Sequence, residues 1–229
     1  MKKKNLLLLT LLLIHSSIIF AHTPKTGNDV LPYKNPLLPV DTRVQDLLSR
    51  MTVEEKIGQL LCLQGWMMYS KTGEEVTQSE QLEKAVDKQH IGMLWGVLRA
   101  DPWTKRTLRT GLNPRMAAEA TNAIQRYAIE KTRLGIPILL AEEWPHGQMA
   151  IGTTVFPTAV GQSSTWNTSL IQEMATAIAL ETRLQGGHSG YGPILDVARE
   201  PRWSRVEETY GEDPFLIARM GNAVVKGFQ

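Results

Sequence analysis

Apolar and polar residues alternate along this chain in a way that changes period from segment to segment. Lys2, Lys3 and Lys4 precede an apolar run from Leu6 to Ile14, with the small residue Ala21 shortly after. That order predicts an export signal over residues 1–21. The run is interrupted by His15, Ser16 and Ser17 and is shorter than the ~20 residues a membrane-spanning helix needs. Residues 22–40 hold Pro24, Pro32, Pro36 and Pro39 with little periodicity, which predicts an extended arm. Thr52-Val53-Glu54-Glu55 is a capping box, so a helix starts there, with Ile57, Leu60 and Leu61 as its buried stripe.

Further on, a polar stretch at 70–80 leads to a helix over Leu82–Gln89 and a buried strand over Ile91–Leu98. Asn113 and Pro114 then form a cap and first turn, and Met116, Ala120, Ile124 and Tyr127 recur at helical spacing. Gly135 closes that helix before a short strand, Ile136–Ala141. The unit repeats with Leu170, Ile171, Met174 and Ile178 on one helix face, glycines at 186 and 187, and a strand over Tyr191–Val197. A last helix begins near Pro214. Nearly all-apolar strands alternating with helices predict an α/β fold whose parallel sheet is buried on both faces.

Charge changes this picture little. The formal net charge is +2, but removing residues 1–21 leaves 22 basic against 23 acidic side chains. A nucleic-acid or membrane-surface partner is not indicated. Cys62 is the only cysteine, which excludes an internal disulfide, and its apolar surroundings predict a small buried hydrophobe.

In a parallel α/β barrel the polar residues just past each apolar run face the functional end. Ile138–Ala141 runs into Glu142-Glu143-Trp144-Pro145-His146-Gly147. Pro193-Ile194-Leu195 runs into Asp196 and then Arg199-Glu200-Pro201-Arg202-Trp203-Ser204-Arg205, with Glu207, Glu208, Glu212 and Asp213 beyond. Carboxylates and arginines interleaved with tryptophan suit a neutral sugar, through charged hydrogen bonds to hydroxyls and an aromatic face against ring C–H groups. A structural salt-bridge network has the same composition. Metal binding by Glu142, Glu143, His146 and His188 is the weaker reading, because the spacing matches no compact zinc motif. The Asn167-Thr168-Ser169 sequon coincides with a helix start, where asparagine caps well.

Four segments appear in an order that resembles glycoside hydrolase family 3. They are Arg43–Leu60, Gly135–Ile138, Thr154–Pro157 and, most distinctive, Asp196–Pro214. The resemblance implies an N-terminal (β/α)8 TIM-like barrel of which residues 41–229 are the first part. It implies retaining, exo-acting hydrolysis of β-linked glycosides of the β-glucosidase or β-xylosidase type, without a cofactor or metal. Glu143 falls on the family's acidic residue that grips hydroxyls of the non-reducing sugar, and Arg205 on the arginine bonded to the same ring. His146, Arg202 and Glu208 are expected to support them, with His146 positioning rather than transferring protons. Glu200 and Ser204 stand where the family pattern has aspartate and glycine. No residue matches the nucleophile or the acid/base, so no catalytic residue is assigned.

The ~250 residues of a complete barrel exceed the 208 that follow the signal. An apolar strand edge and part of the core are therefore expected to lie uncovered unless a companion segment completes the barrel. Two alternatives remain beside the exported β-glycosidase: a non-catalytic chain that binds sugar weakly, and a β-N-acetylhexosaminidase-like enzyme.

Overall fold

A computed structural model describes residues 30–229, so the expected signal segment lies outside the described residues. Two compact units divide after Arg50. In the first, a 3-10 turn at Pro32–Lys34 precedes helix α1 (Val40–Arg50). Asp46 ties them together, accepting from the Tyr33 amide at 3.1 Å and from Arg50 Nε at 2.9 Å. Sequence periodicity placed the first helix only after Thr52, and α1 is an addition to that reading.

The second unit, Met51–Gln229, is built on four parallel strands. Helix α2 (Val53–Gly58) begins at the expected capping box, in which Thr52 Oγ1 accepts from the Glu55 amide and Glu55 returns the bond to the Thr52 amide. Then come β1 (Cys62–Gln64), β2 (Tyr69–Thr72), β3 (Glu75–Gln78) and α3 (Glu80–Gln89). Next are β4 (Met93–Trp95), α4 (Pro114–Lys131), β5 (Leu139–Glu143) and α5 (Ala159–Ser163). The unit ends with α6 (Thr168–Leu184), β6 (Ser189–Tyr191), a 3-10 turn at Val206–Glu208 and α7 (Pro214–Phe228). The sheet order is β1-β4-β5-β6, all neighbours parallel, while β2 and β3 form a separate hairpin in the stretch read as merely polar. Asn113 and Asn167 cap α4 and α6 by accepting from the Met116 and Leu170 amides, as their positions predicted.

Each strand is displaced or shortened relative to its apolar run, for backbone reasons. Pro137 has no N–H to offer a ladder, and the Gln125 amide takes up both backbone groups of Ile138, so β5 starts at Leu139 and extends through both glutamates. Gly96, at φ +70, turns the chain out of β4. Pro193 ends the ladder after Tyr191, so β6 draws on the glycine-rich run instead of on Ile194–Val197. The Trp144 ring lies where a Cβ on Gly190 would stand, 1.3 Å from its nearest atom, so only glycine fits that point of β6.

Register sorts the side chains onto two faces. Leu94, Leu140 and Glu142 share the face covered by helices and are almost fully buried. Cys62, Met93 and Leu139 pair across the other face, as do Trp95 with Ala141 and Glu143 with Tyr191. This second face is open: Leu139 is 45% and Tyr191 46% exposed. The Tyr191 hydroxyl interacts with the Cys62 thiol, which raises the tyrosine pKa together with burial, the larger cause. A flat sheet would hold its first and fourth strands ~14 Å apart, and the closeness of these two side chains fits a sheet curled like the wall of a barrel.

Two expectations are corrected here. Cys62 is exposed, because it points to the open concave face. Ile57, Leu60 and Leu61 are exposed rather than buried, because α2 ends at Gly58 and the two leucines lie in the turn that enters an edge strand. The core instead gathers Leu82, Val86, Leu94, Ile124, Ile138 and Leu140 between α3, α4 and the sheet. A second cluster unites Ile171, Ala175, Tyr210, Met220 and Val224 between α6 and α7. Leu94→Ala is expected to cost ~2–5 kcal/mol and Thr52→Ala ~1 kcal/mol, measured as ordered shifts of the urea midpoint.

Candidate functional site

At the carboxyl ends of β4, β5 and β6 lies a cavity of about 570 Å³. Trp95, Arg99, Trp103, Glu143, His146, Tyr191, Arg205 and Glu208 line it, among others. Another, of about 290 Å³, sits by Ile91, Ile136 and Ile138 at the amino ends of the strands, where a barrel carries stability rather than chemistry.

β5 supplies two adjacent carboxyls to two different environments, because consecutive strand residues face opposite sides. Glu142 points into the helix-covered side, 1% exposed, and its oxygens accept from the Leu98 amide at 3.3 and 3.2 Å. Burial pushes its pKa up to about 8, against the opposing effect of the amides of Leu98 and Val97. Glu143 points to the cavity. Its Oε2 accepts from Trp95 Nε1 at 2.8 Å and from Arg99 at 3.2 Å. Burial raises its pKa, while Arg99 and the Trp95 indole pull it back.

Arg99 is itself enclosed, with its side chain 13% exposed. Its Nε donates to Asp101 at 2.7 Å, and its guanidinium lies 5.2 Å from the Trp95 ring centre and 4.6 Å from that of Trp103. Trp66 completes a triangle with those two rings at 5.7 and 5.2 Å. On Asp101, burial opposes the charge, but the Thr104 amide and Arg99 outweigh it and hold the carboxyl below its ordinary value.

Of the residues named from sequence, Glu143, His146, Arg205 and Glu208 meet in this cavity. Arg205 pairs with Glu208 through two hydrogen bonds of 2.8 and 2.6 Å. His146 Nδ1 is buried and has no hydrogen-bond partner among the described residues. Arg202 is elsewhere: it is 88% exposed and bonded to Glu200, whose carboxyl it draws down to about 2. His188 accepts from the Leu140 amide at 3.0 Å and does not line the cavity. Among the described residues no group of three or more His, Cys, Asp or Glu could hold a metal ion.

Sequence reasoning passed over Arg99, Asp101, Trp95 and Trp103. The signal was present: the apolar run 91–98 ends in the same way as the one before Glu143, with Arg99-Ala100-Asp101-Pro102-Trp103.

The chain matches the Glycosyl hydrolase family 3 N terminal domain over residues 52–229. It belongs to glycosyl hydrolase family 3. Within the family it is 32% identical to beta-glucosidase C of Emericella nidulans over 211 residues, which are 88% of this chain and 32% of that protein. It is 47% identical to a beta-xylosidase of Formosa agariphila over 103 residues, 42% of this chain and 14% of that one. A solved family 3 fold, the beta-glucosidase of Listeria innocua in complex with glucose, superposes with a TM-score of 0.63 at 31% identity, covering 82% of this chain and 23% of that one. The chain thus spans about a third or less of the length of these relatives, and its α/β fold with a curled parallel sheet is that of the family's N-terminal barrel.

Glu142 gives a pH prediction. Its folded pKa lies above its unfolded value, so the unfolded chain binds fewer protons between those values and stability falls as pH rises from about 4.5 to about 8. Glu142→Gln should remove that slope, so its urea midpoint gains on that of the parent between pH 5 and pH 8.

Proposed function

We propose that this chain forms the part of a retaining, exo-acting β-glycosidase that holds the non-reducing sugar of a β-glucoside or β-xyloside. The supporting observation is the convergence of an ionisable carboxyl, an arginine and aromatic faces in one cavity at the carboxyl ends of the strands. Glu143 keeps Oε1 clear of hydrogen bonds among the described residues, so it accepts from sugar hydroxyls. Arg205, fixed by Glu208, donates to the same ring. Tyr191 and Trp95, whose rings meet at 5.8 Å, offer apolar surface to ring C–H groups.

Retaining hydrolysis needs two carboxyl groups ~5 Å apart across the scissile bond, and no residue of the described chain is assigned to that pair. The described residues provide binding and orientation. The basic and apolar start of the sequence supports export, to the periplasm or outside the cell.

Calorimetry or ligand-observed NMR with D-glucose, D-xylose and their aryl β-glycosides tests the reading. Binding of one sugar, weakened ~10-fold or more by Glu143→Ala or Arg205→Ala, supports it. Turnover of an aryl glycoside by this chain would show that a nucleophile is present, and binding without turnover would favour the non-catalytic sugar binder. Absence of binding by any of the four compounds sinks the proposal.

A further inference from the structure

Glu143 has two oxygens and a crowded approach to only one of them. Both donors that reach it, the Trp95 indole and the Arg99 guanidinium, converge on Oε2. Arg99 cannot swing away easily, because Asp101 holds its Nε and the rings of Trp95 and Trp103 lie over the guanidinium. Asp101 is pinned in turn: its Oδ1 accepts from the Thr104 amide at 2.8 Å, and its own amide donates to Thr104 Oγ1 at 3.1 Å. The same loop is anchored one residue earlier, where Leu98 donates to Glu142. Both carboxyls of β5 therefore grip one loop, and the loop grips back at one carboxyl only through Arg99.

We infer that Arg99 is the positioning residue of Glu143: it fixes the carboxyl group through Oε2 and leaves Oε1 directed at the sugar. The inference rests on the sugar-site reading above. It assigns no contact between Arg99 and the sugar. A lysine cannot replace it, because a single ammonium cannot span Asp101 and Glu143 while stacking on two indoles. The other groups facing Glu143 are His146 after β5, Tyr191 on β6, and Arg205, Glu207 and Glu208 from the segment beyond β6, while Glu142 beside it points to the opposite side of the strand. Arg205 favours the charged carboxyl and Glu208 opposes it, and Arg99 is the cation hydrogen-bonded to it.

The test uses the full chain with Arg99→Gln, Arg99→Lys and Asp101→Asn, and two readouts. One is the titration midpoint of the Glu143 carboxyl by carbon-detected NMR without sugar. The other is the Kd for D-glucose between pH 5 and pH 8. Arg99→Gln should raise the midpoint by about one pH unit or more and weaken glucose binding about 10-fold at pH 6, with part of the loss regained at pH 8. Arg99→Lys should restore the midpoint without restoring affinity, since charge returns and orientation does not. Asp101→Asn, which loosens Arg99 without touching Glu143, should weaken binding in a smaller step, and it carries the test with Arg99→Lys if the glutamine variant does not fold. An unchanged midpoint and unchanged affinity in Arg99→Gln would overturn the inference, as would full rescue by lysine. If the parent chain binds no glucose yet Arg99→Gln moves the midpoint, the sugar reading fails while the clamp on Glu143 stands.

Discussion

The carboxyl end of β5 is the constraint on which the rest of the site depends. A strand turns consecutive side chains to opposite faces, so Glu142 and Glu143 enter different environments. One is sealed against helices and accepts from the Leu98 amide in the loop after β4. The other meets a cation, an indole and an open cavity. Because the loop after β4 bonds to both, the position of Arg99 relative to Glu143 is set by the sheet itself and not by a mobile surface segment. This is how a modest four-stranded wall can present a charged group at a fixed angle.

At Glu143 the ion pair takes one oxygen only: Arg99 and the Trp95 indole occupy Oε2, and Oε1 has no hydrogen bond among the described residues. Arg205 shows the same economy. Its partner Glu208 comes from the same 3-10 turn region, so the guanidinium is held locally while its charge reaches Glu143 across the cavity. The rings of Trp95 and Trp103 over Arg99, backed by Trp66, supply π faces and exclude water, which strengthens the attraction between the fixed charges without adding further ones.

Four helix starts could be read directly from caps, at Thr52, Asn113, Asn167 and Pro214, whereas α1, β1, the β2–β3 hairpin and α5 could not. Strand ends were less legible, because hydrophobicity does not report which amides are free to join a ladder. Pro137 and Pro193 moved two strands away from their apolar runs. Glu143, Arg205, His146 and Glu208, named from motif and position, line one cavity, whereas Arg202, in the same motif, turned outward to Glu200. Arg99 follows directly on an apolar run, and its significance depends on Glu143, 44 residues later in the chain. The exposure of Cys62 was illegible for another reason: sequence shows that a residue is apolar, not whether its face of the sheet has a cover.

That uncovered face carries the molecule's sole thiol, set against a tyrosine from the strand at the far side of the sheet. A label attached at position 62 would therefore sit on the inner wall of the curl and nowhere else in the chain. Its accessibility to a small alkylating reagent measures, in one number, how far that inner wall is closed to solvent. The residue that best marks the chain's open interior is thus one with no part in the chemistry at the strand ends.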